Sequence, residues 1–92
     1  MVVRVFHPDD GIAAATVSYA GELYCVNGLN AKGIFIELNN GTPSAGTEMN
    51  WNICPSTVSL FNLLFEAGNM DDVDSFFKDT QSSLPYIIGV AD

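Results

Sequence analysis

A chain of 92 residues with a formal net charge of −8 suits a single domain, 1–92, whose only cations besides His7 are Arg4, Lys32 and Lys78. Nucleic acid and anionic membrane surfaces are held through clustered Lys and Arg, so both are excluded as expected partners. Apolar residues make up 48% of the chain and charged ones 15%, which is a rich apolar share for a domain that buries only roughly 60–65% of its unfolded surface. Part of that surface is expected to meet a second copy or another part of the same protein.

Cys25 and Cys54 are the only cysteines. Two thiols do not make the four-ligand set of a structural zinc, and no carboxylate or His cluster has metal spacing, so no metal and no cofactor are expected. Cys25 lies within an apolar run and reads as a small buried hydrophobe. No run reaches the roughly 18 apolar residues of a membrane span. The start "MVVRVFHPDD" lacks the charged, apolar and small-residue regions of a secretory signal, so a cytoplasmic location is expected.

In chain order, "VVRVF" (2–6) is a short β-branched strand that stops at the turn cluster His7-Pro8-Asp9-Asp10-Gly11. "IAAATVSYA" (12–20) follows as a strand, and "LYCV" (23–26) is expected to return as its hairpin partner after Ala20-Gly21-Glu22. Residues 27–33 read as a glycine-flanked turn, with Gly28 or Gly33 expected at positive φ. "IFIEL" (34–38) is the next strand. Its alternation puts Ile34, Ile36 and Leu38 on one face and Phe35, Glu37 and Asn39 on the other. Residues 40–55 show no period and read as a loop, which Met49, Trp51 and Ile53 are expected to pack down.

Two helices follow. Pro55-Ser56-Thr57 starts the first, spanning 57–67, with Val58, Phe61, Leu64 and Phe65 on one stripe. Leu60 and Leu63 widen that stripe, so the helix is expected to be buried on more than one side. Gly68 is expected to end it. Asn69 caps the second helix, Asp71 and Asp72 favour its positive end, and Met70, Val73, Phe76 and Phe77 form its apolar stripe. "YIIGVAD" (86–92) closes the chain as a strand. The order predicts an α+β fold: an antiparallel sheet of four to five strands with two consecutive helices packed on one face.

A complete catalytic set is not legible. His7 sits in a turn with no Ser or Cys near it. Ser18, Ser44, Ser56 and Ser59 lack a neighbouring base or a strained elbow. Gly28 and Gly33 do not make a phosphate loop, since Lys32 is followed by Gly33 rather than Ser or Thr. The unexplained feature is the pair Asn39-Asn40, which either terminates a strand or holds a side-chain amide for a reaction.

The stretch "YAGELYCVNGLNAKGIFIELNN" (19–40) resembles the N-terminal-nucleophile hydrolases of the choloylglycine hydrolase and penicillin (isopenicillin N) acyltransferase group. The carriers are the turn Gly28-Leu29-Asn30-Ala31-Lys32-Gly33-Ile34 and the apolar strand ending in Leu38-Asn39. Residues Gly28, Asn30 and Gly33 would build the turn. "FHPDDGIAAATVSYAG", "SLFNLLFEAGNMDDVDSFF" and "IIGVAD" are similar to the strands and helices around it. Ala31 stands where the group usually has Glu.

The resemblance implies a partial four-layer αββα fold and an enzyme acting on linear amide C–N bonds, with a small acylated amine as substrate. It implies a Cys nucleophile at a cleaved N-terminus whose α-amino group is the base, with an Arg and an Asp nearby, all lying before residue 1. These 92 residues would then be the central part, inactive alone. The strand-end Asn of the group donates to the tetrahedral oxyanion. One register selects Asn39 and an alternative one selects Asn40. The other function class that the composition allows is a non-enzymatic acidic module that self-associates or binds a partner. In either case a homodimer or larger oligomer is expected, with Phe, Ile and Leu in its interface.

Overall fold

The computed structural model describes residues 1–22, 27–40, 51–83 and 86–92. Its strands are β1 (Val2–Phe6), β2 (Ala14–Ser18), β3 (Gly28–Asn30), β4 (Phe35–Asn40) and β5 (Tyr86–Ala91); its helices, α1 (Ser56–Glu66) and α2 (Met70–Asp79), lie between β4 and β5. Each strand pairs antiparallel with its neighbour in sequence, giving one sheet in the order β1-β2-β3-β4-β5. The helices pack on one face, and the fold is α+β as expected.

The alternation in β4 sorts the two faces. Ile34 and Ile36 are buried at 1% and 0% exposure. They meet Ala14 of the sheet, Leu60, Leu63, Leu64 and Ala67 of the first helical segment, and Val73 of α2. Each fully buried Leu or Ile contributes about 1.5–3 kcal/mol. The wide stripe of α1 divides its work. Leu60, Leu63 and Leu64 enter this core, whereas Phe61 and Phe65 stack edge-on with Phe6 of β1, ring centroids 5.5 and 5.6 Å away.

Among the described residues the opposite face carries no helix. Val5, Ala15, Leu29, Phe35 and Ala91 are successive cross-strand partners and form one apolar row over all five strands. Val3 pairs with Val17 beside that row. Val3 is 66% exposed, Val5 61%, Leu29 50% and Ile87 62%.

Several boundaries differ from the sequence expectation. The segment 27–33 is not one turn, because Gly28–Asn30 forms β3. A Cβ on Gly28 would stand 2.8 Å from Leu64 Cδ1 and 2.9 Å from the Ala15 carbonyl oxygen. Glycine here lets β3 slide between β2 and α1; it does not turn the chain. The turn proper is Ala31-Lys32-Gly33, closed by Gly33 N donating to the Asn30 carbonyl at 3.0 Å, with Gly33 at φ +91°. The strand 34–38 becomes Phe35–Asn40 because β5 pairs with it as far as Asn40–Tyr86. The strand 12–20 shortens to Ala14–Ser18, and its expected partner 23–26 lies outside the described residues.

Helix α1 ends one residue earlier than expected, and its cap is Ala67 in extended conformation, not Gly68. The N–H of Ala67 donates to the Leu63 carbonyl, which satisfies the terminus without a left-handed glycine. In α2, Asn69 caps as expected by accepting from Asp72 N, but Met70 and Phe77 remain 38% exposed, since only Val73 and Phe76 reach α1 and the core. Trp51 is 85% exposed and does not pack the loop down; Met49 lies outside the described residues.

Candidate functional site

The turn residues that the sequence singles out converge on Asn30. This side chain is 2% exposed and uses its whole hydrogen-bonding capacity. Its Nδ2 donates to the carbonyls of Leu64 (3.0 Å) and Ala67 (2.7 Å), and its Oδ1 accepts from the N–H groups of Lys32 and Ile34 (both 3.0 Å). Leu64 and Ala67 present carbonyls that the end of α1 leaves unpaired. One side chain therefore fixes the β3–β4 turn and docks the helix terminus onto it. With both ends engaged, Asn30 holds structure and has no capacity left for a substrate.

Asn39 is placed differently. It lies on the bare face, exposed, two residues along β4 from Glu37 and opposite Ile87. Its Nδ2 donates to Glu37 Oε1 at 3.3 Å. That carboxylate lies over Gly89, where a Cβ would stand 2.9 Å from Oε1. The missing side chain of β5 thus gives Glu37 the space from which it holds the Asn39 amide. The primary amide keeps a second N–H for another acceptor. Asn40 is the last residue of β4 and pairs with Tyr86. Glu37 and Gly89 carried no sequence signal of their own beyond the alternation that puts Glu37 beside Asn39.

Two further polar groups emerge only from the fold. Pro55, the N-cap of α1, has no side chain to cap with. Ser83 takes that role across the chain: Ser56 N donates to Ser83 Oγ at 3.0 Å, and Ser83 N donates to Ser56 Oγ at 2.8 Å. Ser82 Oγ is 3.2 Å from Ser56 Oγ. The adjoining cavity of about 50 Å³ has no His, Lys, Arg, Asp or Glu among the described residues of its lining.

The second group is on the helix side of β1 and β2. Arg4 Nη2 donates to Ser18 Oγ at 2.7 Å and to the Glu22 carbonyl. Arg4 Nε and the hydroxyl of Thr16, its cross-strand partner, are buried without a hydrogen bond.

His7 is exposed in its turn, and Cys54 is an exposed free thiol; Cys25 lies outside the described residues. Among the described residues no three His, Cys, Asp or Glu side chains group as metal ligands, and no helix is long and apolar enough to cross a membrane. The chemistry within reach is hydrogen-bond donation from Asn39 on an apolar face. No protein-family model matches the chain, and comparison with curated proteins and with solved structures returns no match.

Proposed function

We propose that the chain is the oxyanion-stabilising layer of an amide-bond hydrolase or acyltransferase of the N-terminal-nucleophile type. The observation that carries this reading is the position of Asn39. Its amide stands at the end of β4, on the sheet face left bare by the helices, held by Glu37 with one N–H to spare. In a four-layer sandwich that face looks onto the second sheet, where a nucleophile-bearing strand can be brought to it. This placement of the Asn39 amide is what supports the register that makes Asn39 the oxyanion donor.

The division of labour is then simple. An N-terminal Cys outside residues 1–92 loses its thiol proton to its own α-amino group and attacks the acyl carbon. The Asn39 N–H receives the developing oxyanion. The C–N bond breaks, the amine leaves with the proton, and water or a second amine takes the acyl group from sulfur. A preorganised donor of this kind is worth roughly 10²–10³ in kcat.

The test is complementation. A protein carrying the upstream segment with its N-terminal Cys is expected to cleave acylated amines, and Asn39→Ala is expected to lower its kcat roughly 10²–10³-fold with KM little changed. Gly89→Ala, which displaces Glu37 from Asn39, is expected to lower kcat by a smaller factor. The 92-residue chain alone is expected to leave penicillin, bile-salt and ceramide-type amides uncleaved. An upstream reading frame with no Cys-starting strand, or an Asn39→Ala variant of full activity, overturns the reading.

The bare apolar row of the sheet also favours a second reading, a non-enzymatic acidic module that works by association. A stop codon directly after Asp92 in the native gene, with a stably folded product, favours this module over the enzyme.

A further inference from the structure

We infer that the bare sheet face is an interface between two copies of this chain, stacked sheet to sheet about a two-fold axis into a helix–sheet–sheet–helix sandwich. One row of the face is apolar from edge to edge. The row Val5, Ala15, Leu29, Phe35 and Ala91 crosses every strand, and Val3 and Ile87 extend it on the two edge strands. Water contact with so continuous a row is unfavourable, and soluble monomers rarely leave one open.

The charge distribution selects the occupant. Apart from Glu37, the described acids lie off the strands of this face: Asp71, Asp72, Asp74 and Asp79 on α2, Glu66 at the end of α1, Asp9 and Asp10 in the β1–β2 turn, Glu22 beyond the end of β2 and Asp92 just after β5. Glu37 is the one charged side chain that the described strands place on this face. A basic partner would be drawn to the helix side. Two copies that each carry −8 meet least repulsion through the face that carries the single carboxylate Glu37, and an apolar row meets its own image without needing charge complementarity.

The size is sufficient. Five strands about 4.8 Å apart and about 17 Å long present roughly 400 Å² of flat area per copy, and side-chain relief brings the pair to roughly 1,000 Å², the lower bound of stable biological interfaces. Stacking leaves the outer edges of β1 and β5 unpaired, which separates it from edge-to-edge association.

Sedimentation equilibrium of the 92-residue chain at micromolar concentration is expected to give twice the 9.9 kDa chain mass. Added salt is expected to tighten the dimer by screening the two like-charged copies. Leu29→Glu and Val5→Glu are each expected to weaken it at least 100-fold with the far-ultraviolet circular dichroism unchanged. Should either fail to fold, Leu29→Thr keeps an exposed β-former there and is expected to weaken the dimer about tenfold. Hydrogen exchange of the unmodified protein adds a second reading, with the outward amides of β1 and β5 exchanging freely. A 9.9 kDa species throughout, a dimer indifferent to Leu29→Glu, or protected edge amides each overturn the stacking. A second copy takes the face that the enzyme reading gives to a nucleophile-bearing sheet, so the dimer is the alternative occupant of that face; its readouts are mass and exchange and require no amide hydrolysis.

Discussion

The Asn30 side-chain nitrogen lies 2.7 Å from the carbonyl oxygen of Ala67, 37 residues further along the chain. The same nitrogen reaches the Leu64 carbonyl, while the side-chain oxygen holds Lys32 and Ile34. A turn and a helix terminus, each with unpaired backbone groups, are thereby completed by a single buried amide.

Asn30→Asp is the sharpest test of that role, because it changes one atom. The carboxylate keeps an acceptor for Lys32 and Ile34 but aims oxygen at two carbonyl oxygens. A buried charge without a donor costs several kcal/mol, so the variant is expected to lose about 3 kcal/mol or more. For a domain of this size that lowers Tm by more than about 10 °C in thermal unfolding. A loss below about 1 kcal/mol would mean that the helix terminus does not depend on Asn30.

Gly28 and Gly33 bracket the same turn for different reasons, and substitution separates them. At Gly33 a Cβ meets nothing within 4 Å, but φ is +91°. Gly33→Ala is expected to cost about 1 kcal/mol through backbone strain, and Gly33→Asn to cost less, since Asn tolerates the left-handed region. At Gly28 the backbone is an ordinary strand, and the obstacle is the Ala15 carbonyl and Leu64. Gly28→Ala is expected to cost about 1–3 kcal/mol, and Gly28→Asn more, by overpacking. Chemical denaturation of the four variants measures both orders. Asn rescuing position 28, or failing at 33, contradicts the assignment.

These glycines also show how far the sequence carries the fold. Alternation in "IFIEL" fixed which side of β4 is buried, and the stripes of α1 and α2 fixed the helices, because both signals are local. The pattern Gly-Leu-Asn marked a turn correctly but placed it early. A glycine needed for close approach looks like a glycine needed for positive φ until the neighbour that approaches, Leu64 of α1, is in view. The site was legible only as residue types. Asn39 stood out as an amide at a strand end, whereas Glu37 over Gly89 depends on the β4–β5 register, and Ser83 capping α1 joins residues 27 apart. Nothing within either segment alone encodes such pairings.

Two hydroxyls of β2 face the same side and differ in partners. Thr16 is fully buried, and its Oγ1 has no hydrogen bond. Ser18, 5% exposed, accepts from Arg4 Nη2 at 2.7 Å. An unpaired buried hydroxyl costs about 1–3 kcal/mol, and a bond to a charged donor contributes about 1.5–3 kcal/mol. Replacing the Thr16 hydroxyl by a methyl of similar shape removes the desolvation cost without opening a cavity. Thr16→Val is therefore expected to raise stability by about 1 kcal/mol, a Tm gain of about 4–8 °C, while Ser18→Ala lowers it by a comparable or larger amount. The opposite signs on one strand are the diagnostic. If Thr16→Val is destabilising by more than the error of a thermal melt, the hydroxyl has a partner in solution, such as a water bridging it to the nearby Arg4 Nε. The unpaired arrangement of Arg4 and Thr16 would then be wrong.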